Sequence, residues 1–235
     1  MFLLALDTTT KSCSVAIVTS AGLLAEVTTA RNETHARHLM TMVDQALTLA
    51  GISIDAVDGF AVTRGPGSFT GLRIGLSAVK GLAMAGDKPV VPVSSLEALA
   101  VQAVSASGGS GTIVSMIDAY RGEVFLAGYR PDGDRMTPVI PETVVAPETA
   151  ARQVTDLAGS VTLVGSGFVT YLSHFTQITG ARIGSAPEMA HMLRAATVGR
   201  MGLGRLDTDG RKAVDIMPVY LRKSDAQIHQ ARRTG

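Results

Sequence analysis

Two aspartates each close the first strand of a look-alike segment: Asp7, followed by Thr8, Thr9 and Thr10, and Asp118, with Arg121 three residues on. Carboxylates and hydroxyls at a strand-to-turn junction can grip a metal ion and the phosphates it carries, and an arginine can pair with the anion. An aspartate there is equally an ordinary turn former, because its side chain bonds the backbone two residues on. Gly165-Ser166-Gly167 carries the same two readings, a strand-to-helix turn or a loop facing an adenosine. The stretch Gly65-Pro66-Gly67-Ser68-Phe69-Thr70-Gly71 fits neither nucleotide signature. A phosphate-binding loop needs Lys after its last glycine, where Leu72 stands, and the dinucleotide fingerprint needs a closer glycine spacing. Close backbone packing and entry into a helix explain it better, with Ser68 or Thr70 as the cap.

His35 and His38 stand three apart, as a metal pair can. His174, His191 and His229 do not group with them, so surface or interface histidines are the simpler reading. Gly-x-Ser-x-Gly is absent, and no nucleophile, base and orienter can be assembled, which leaves a peptidase poorly supported.

The elements that must position these residues come in two similar sets. Phe2 to Leu6, Ser12 to Thr19 and Leu23 to Thr29 read as a meander, and so do Thr112 to Ile117, Gly122 to Tyr129 and a strand starting at Arg135. Each meander gives way to helical periods: Thr34 to Ala50, the glycine-entered helix and Ser94 to Val104 in the first set. Pro147 to Leu157, Phe168 to Phe175 and Glu188 to Leu203 follow in the second. Strands near Gly59 to Thr63 and Pro89 to Val93 alternate with the first set, so a parallel section should lie beside the antiparallel meander, and Val161 to Val164 reads as a strand in the second. The pattern is that of a duplicated α/β unit. The linker-like Ser105 to Gly111 divides an N-terminal lobe, 1–106, from a C-terminal lobe, 107–221, whose last helix could return to the first. Residues 222–235 form a basic tail with the composition of a frayed terminus.

With 235 residues, 46% of them hydrophobic, the chain can bury a sizeable core. A formal charge of +1 gives no bulk electrostatic case for nucleic acid or membrane binding. The single cysteine, Cys13, lies in an apolar strand and excludes a disulfide within the chain. No leader-like segment or membrane-length apolar run is visible, so a soluble cytoplasmic protein is expected.

Two helices carry more apolar surface than one sheet requires. In the glycine-entered helix, Phe69, Leu72, Leu76, Val79 and Ala83 form one stripe, and Gly71, Ile74, Gly75, Ala78 and Leu82 form a second. In the helix over 34–50, Ala36, Leu39, Val43, Ala46, Leu47 and Ala50 make the core stripe. His35, His38, Met42, Gln45 and Leu49 lie about 80–100° away. Small residues at Gly71, Gly75 and Ala78 would let a partner helix approach closely.

These residues resemble a known family. Leu4-Ala5-Leu6-Asp7-Thr8, Cys13 to Ala16, Gly65 to Gly75, Lys80-Gly81-Leu82-Ala83, Val93-Ser94-Ser95-Leu96 and Asp118 to Val124 are similar, in order, to the TsaB (YeaZ) family. The resemblance is dense over residues 2–125 and thin afterwards, apart from Pro218 to Arg222. It implies a two-lobed actin-like ATPase/RNase H-like fold of duplicated mixed-sheet units. It also implies a non-catalytic subunit that serves threonylcarbamoyladenosine synthesis at adenosine 37 of ANN-decoding tRNAs. The partners implied are the metal-dependent transferase TsaD, as a heterodimer, and the ATPase TsaE, with tRNA reached through the complex and a homodimer when the chain is alone.

TsaD-like chains carry Val-Asn-His-Leu-Glu-Gly-His, whose histidines hold the metal. Here Ser95 and Leu99 replace both, and leucine offers no donor. The resemblance places the partner interface on the two first-lobe helices, where two helices from each subunit could make a four-helix bundle. No resident cofactor is expected; ATP or ADP could sit at Asp7, Thr8, Thr9, Asp118 and Arg121 or at the complex interface. Tyr120 stands where an arginine is common in the family. An actin-like kinase or ATPase with an inter-lobe nucleotide is the alternative reading.

Overall fold

The computed structural model describes residues 1–30, 34–108, 111–133, 135–180 and 182–222. The first lobe opens with β1 (Leu3–Asp7), β2 (Cys13–Thr19) and β3 (Gly22–Thr29), and continues through α1 (Leu39–Ala50), β4 (Gly59–Gly65), α2 (Phe69–Gly86), β5 (Val90–Ser94) and α3 (Ser95–Ser107). The second lobe follows as β6 (Thr112–Tyr120), β7 (Glu123–Asp132), β8 (Arg135–Val145), α4 (Pro147–Asp156), β9 (Val161–Val164), α5 (Ser166–Thr170) and β10 (Ile183–Ser185). Helices α6 (Ala195–Leu203) and α7 (Leu206–Asp209) come last.

Both sheets have five strands, in the orders β3-β2-β1-β4-β5 and β10-β9-β6-β7-β8. In each, a three-strand antiparallel meander is extended by two parallel strands beside its first member. One topology therefore occurs twice, and the two-lobed α/β fold expected from the sequence is the fold that forms.

Alternation along the strands decides which helices cover which face. Leu4, Leu6, Val15 and Ile17 face one way and meet Leu39, Met42, Val43 and Ala46 of α1, together with Leu76, Val79 and Ala83 of α2. Each large side chain buried here contributes about 1.5–3 kcal/mol relative to exposure. Leu3, Ala5, Ala16, Val18 and Ala61 face the opposite way, into a core shared with α3, α6 and the inner residues Ile113, Ile117, Phe125 and Ala127 of the second sheet. Helix α6 lies flat against small residues: a Cβ on Gly199 would stand 2.7 Å from Val18, and one on Gly202 2.6 Å from Ala61. A third core, with Val114, Met116, Val154, Leu163 and Phe175, fills the outer face of the second sheet.

The structure corrects three helix boundaries. The helix expected over 34–50 divides into a 3₁₀ turn at His35–Arg37 and α1, with His38 between them at φ −120°. The His35 ring is held by the Thr10 carbonyl at 2.9 Å, which ties the turn to the β1–β2 loop. The segment expected to be helical over 188–203 breaks before α6, because the backbone N–H groups of Arg194, Ala195 and Ala196 donate to Gln102, Ser14 and Glu26. The expected helix over 168–175 is a short α5 followed by a 3₁₀ turn at Leu172–His174. The expected linker begins inside α3, which reaches Ser107, and most of the basic tail, 223–235, lies outside the described residues. Among the described residues no helix is long and apolar enough to cross a membrane.

Candidate docking face and inter-lobe cleft

The apolar strand β4 delivers the chain into the glycine loop, and α2 begins once Ser68 Oγ accepts from the Gly71 N–H at 3.2 Å. That cap satisfies one of the four unpaired donors of the first turn. The loop and helix start then close onto the β1–β2 turn. The Ser68 N–H donates to the Thr9 carbonyl at 2.7 Å, and Thr8 Oγ1 donates to the Gly71 carbonyl at 2.7 Å. A Cβ on Gly71 would stand 1.9 Å from the Thr8 carbonyl oxygen, and one on Gly75 would stand 2.4 Å from Thr8 Oγ1. The notch cut by these glycines is thus filled by Thr8 of the same chain. The expectation that it admits a partner helix is corrected for Gly71 and Gly75.

Met42 is corrected too, since it is 4% exposed among the residues between α1 and the first sheet. Of the other expected docking residues, Gln45 and Leu49 are exposed, Leu49 at 69%. His35, His38, Ile74, Ala78 and Leu82 are half-buried. Ile74, Ala78 and Leu82 rest on the edge of the core beneath the two helices. Exposed Met40 and Met84 belong to the same helices and were not singled out from the sequence. Phe69, placed on the core stripe by its spacing, instead lies exposed beside Tyr220 and under the Arg73 guanidinium.

The two aspartates sit in unlike places. Asp7, Thr8 and Thr9 are buried, and of the three only Thr9 reaches the wall of an inter-lobe cavity, so the expectation that they open on the cleft is corrected for Asp7 and Thr8. Asp7 Oδ1 accepts from the Thr9 N–H, Thr9 Oγ1 and Thr63 Oγ1 at 3.2, 2.6 and 2.7 Å, while its Oδ2 is buried with no partner. Burial pushes its carboxyl above the usual carboxylate range, against the pull of the bonds from Thr9 and Thr63. The same burial, with Asp7 nearby, raises the Cys13 thiol to about 12, so that sulfur stays protonated.

Asp118 is half-buried, and its Oδ1 accepts from the Tyr120 N–H at 2.8 Å while its own N–H donates to Ser166 Oγ at 3.2 Å. It lines two cavities, of about 550 and 350 Å³. The smaller lies between the lobes, with Thr9, Thr10 and Lys11 on one side and Ser166, Glu188 and His191 on the other. Arg121 is exposed on the tight β6–β7 turn, at φ 59°, and is not among the residues lining either cavity. The five expected nucleotide residues are therefore not gathered into one open site.

One pair was not visible from the sequence, because the three-residue β10 that carries it is too short to stand out. Ser185 Oγ and His191 Nε2 lie 3.2 Å apart. This is not an activated nucleophile. His191 Nδ1 accepts from the Gly165 N–H at 3.1 Å, so the neutral ring carries its proton on Nε2 and cannot take one from Ser185. Burial lowers the pKa of that ring, and Ser185 Oγ donates instead to the Ala186 carbonyl at 2.9 Å. His174 pairs with Glu148 at 3.4 Å, and His229 lies outside the described residues. Among the described residues no three His, Cys, Asp or Glu side chains are grouped to hold a metal ion.

Comparisons with known proteins bear on this geometry. The family model of TsaD, tRNA N6-adenosine threonylcarbamoyltransferase, matches residues 22–229. The tRNA threonylcarbamoyladenosine biosynthesis protein TsaB of Haemophilus influenzae is 35% identical over 230 residues, which cover 94% of this chain and 93% of that protein. The Escherichia coli TsaB is 35% identical over 174 residues, 72% of each chain. Among solved structures, YeaZ from Pseudomonas aeruginosa superposes with a TM-score of 0.79 at 31% identity, over 94% of this chain and 99% of that one. Component A of (R)-2-hydroxyglutaryl-CoA dehydratase from Acidaminococcus fermentans, with a TM-score of 0.55 and 9% identity, shares the fold alone. The duplicated sheets and the full-length likeness agree: the chain belongs to the TsaB (YeaZ) family.

Proposed function

We propose that this chain is a non-catalytic subunit in threonylcarbamoyladenosine synthesis, docking the TsaD transferase through the outer face of α1 and α2 and supporting transfer to adenosine 37 of ANN-decoding tRNAs. The observation that carries this reading is the fate of the two positions where TsaD-like chains hold their metal-binding histidines. Ser95 is fully buried with its hydroxyl unpartnered, and Leu99 is a core residue between the lobes. Neither side chain reaches a cleft, and leucine has no lone pair to give a metal. The docking face is supported by Gln45 and Leu49, together with the half-buried edge of Ile74, Ala78 and Leu82. An exposed leucine beside such an edge is covered at a gain when a helix of another subunit packs on it.

In this reading TsaE joins the assembled pair, tRNA is reached through the complex, and two copies of the chain pair by the same face when TsaD is absent. Asp7 grips no nucleotide in this reading, since its carboxylate is closed over by Thr9 and Thr63, and ATP or ADP would sit at the complex interface. Co-expression with TsaD from the same cell tests the proposal: the two should co-purify in equal amounts and modify tRNA together. A chain that never retains TsaD, or that transfers threonylcarbamoyl without it, contradicts the reading.

A further inference from the structure

The chain is poor in aromatic residues, with four Tyr, six Phe and no Trp, yet three exposed ones meet at one place. Phe69, Tyr120 and Tyr220 are 40%, 47% and 43% exposed, and all line the cavity of about 550 Å³. That volume lies in the range that encloses a nucleotide-sized ligand. The Phe69 and Tyr220 rings stand 5.1 Å apart, and the Arg73 guanidinium lies 3.9 Å over Phe69 while its Nε donates to the Tyr220 hydroxyl at 3.3 Å. Arg222, also on the lining, donates to the Ala119 carbonyl and to Glu123. Asp118 turns Oδ1 to the Tyr120 N–H, and no hydrogen bond to its Oδ2 is found among the described residues.

Rings held in place by a stacked guanidinium, with a carboxylate acceptor and hydroxyls from Ser68 and Thr70 around them, suit a flat heteroaromatic ring that carries an amino group. Aromatic faces accept any base, and arginines beside them suit a phosphate linkage. We propose that this cavity receives an unpaired base of an RNA strand, with Tyr120 and Tyr220 offering the stacking faces and Asp118 Oδ2 accepting from an exocyclic amine. The choice of RNA over a free nucleotide rests on the role proposed above.

The test is fluorescence anisotropy of the full chain with a fluorescein-labelled single-stranded RNA of about ten nucleotides, the same RNA paired into a duplex, and AMP as competitor. The single strand should bind, the duplex should bind at least fivefold more weakly, and AMP should compete only at far higher concentration. Tyr220→Ala and Tyr120→Ala should each weaken the single strand at least fivefold, while Tyr→Phe at either position keeps most of the binding. Retention of TsaD by the same variants shows that they remain folded and separates this result from the docking proposal. Equal binding by wild type and both alanine variants, equal binding of duplex and single strand, or AMP binding as tightly as the RNA would each overturn the inference.

Discussion

The β1–β2 turn and the β6–β7 turn occupy equivalent places in the two sheets, and both begin at an aspartate, but they have been put to different use. The first runs through three threonines, and its Asp7 is fully enclosed by bonds from Thr9 and Thr63. The second is tight, with Tyr120 and Arg121 both at φ 59°, and it leaves Asp118 and Tyr120 on the walls of open cavities. The difference lies in what reaches each turn. In the first lobe the glycine loop and α2 press onto Thr8 and Thr9 and bury them, and only Thr9 still reaches a cavity wall. In the second lobe α5 touches its turn through Ser166, which leaves the outer side open. Duplication supplied the same position twice, and packing turned one into a structural knot and left the other available to a ligand.

The largest effect should come from breaking the knot. Gly71→Ala puts a methyl group 1.9 Å from a backbone oxygen and should cost about 3 kcal/mol or more. That would lower Tm by roughly 6–12 °C in a chain of this size. Gly122→Ala at the other turn meets no atom within 4 Å and carries only the strain of a positive φ, about 1–2 kcal/mol. Equal losses in thermal denaturation would contradict the contrast.

Asp7→Asn sharpens it further, because asparagine keeps the acceptor for Thr9 and Thr63 and removes the charge. Burial raises the carboxyl of Asp7 above its unfolded value of 3.8, so the folded state binds the proton first as pH falls. Wild-type stability should therefore rise relative to the Asn variant as pH drops through the raised folded value toward 3.8, and level off below it. Urea titrations at a series of pH values measure this, and a wild type that loses stability relative to Asn on acidification would contradict it. Ser68→Ala removes the cap of α2 and should cost about 1 kcal/mol. Asp118→Asn should change stability by no more than about 0.5 kcal/mol.

The sequence carried both meanders, the parallel strands other than β10, and a helix cap at Ser68 or Thr70, because those signals are local. What it could not carry was the identity of the neighbour that fills a stripe of small residues. Gly71 and Gly75 have the spacing of a helix–helix groove, and only the fold brings Thr8, more than sixty positions away, into the notch. Met42 shows the same limit from the other side. Its place on the wheel is next to the core stripe, and it is buried with Leu39, Val43 and Ala46 against the first sheet. Phe69 was misplaced for a similar reason, since Tyr220 and Arg73 stabilise it outside the core at the helix start. The break before α6 was hidden because its causes, Ser14, Glu26 and Gln102, come from elements far away in the chain.

The central claim is that the first lobe, through the exposed side of α1 and α2, holds the transferase subunit. Calorimetric titration of TsaD into wild type, Leu49→Asp and Val169→Asp compares that face with an exposed apolar residue of the second lobe. The account predicts that Leu49→Asp weakens binding at least tenfold while Val169→Asp and the Tm of both variants stay near wild type. Full affinity in Leu49→Asp, with loss confined to Val169→Asp, would place the partner on the other lobe and contradict it.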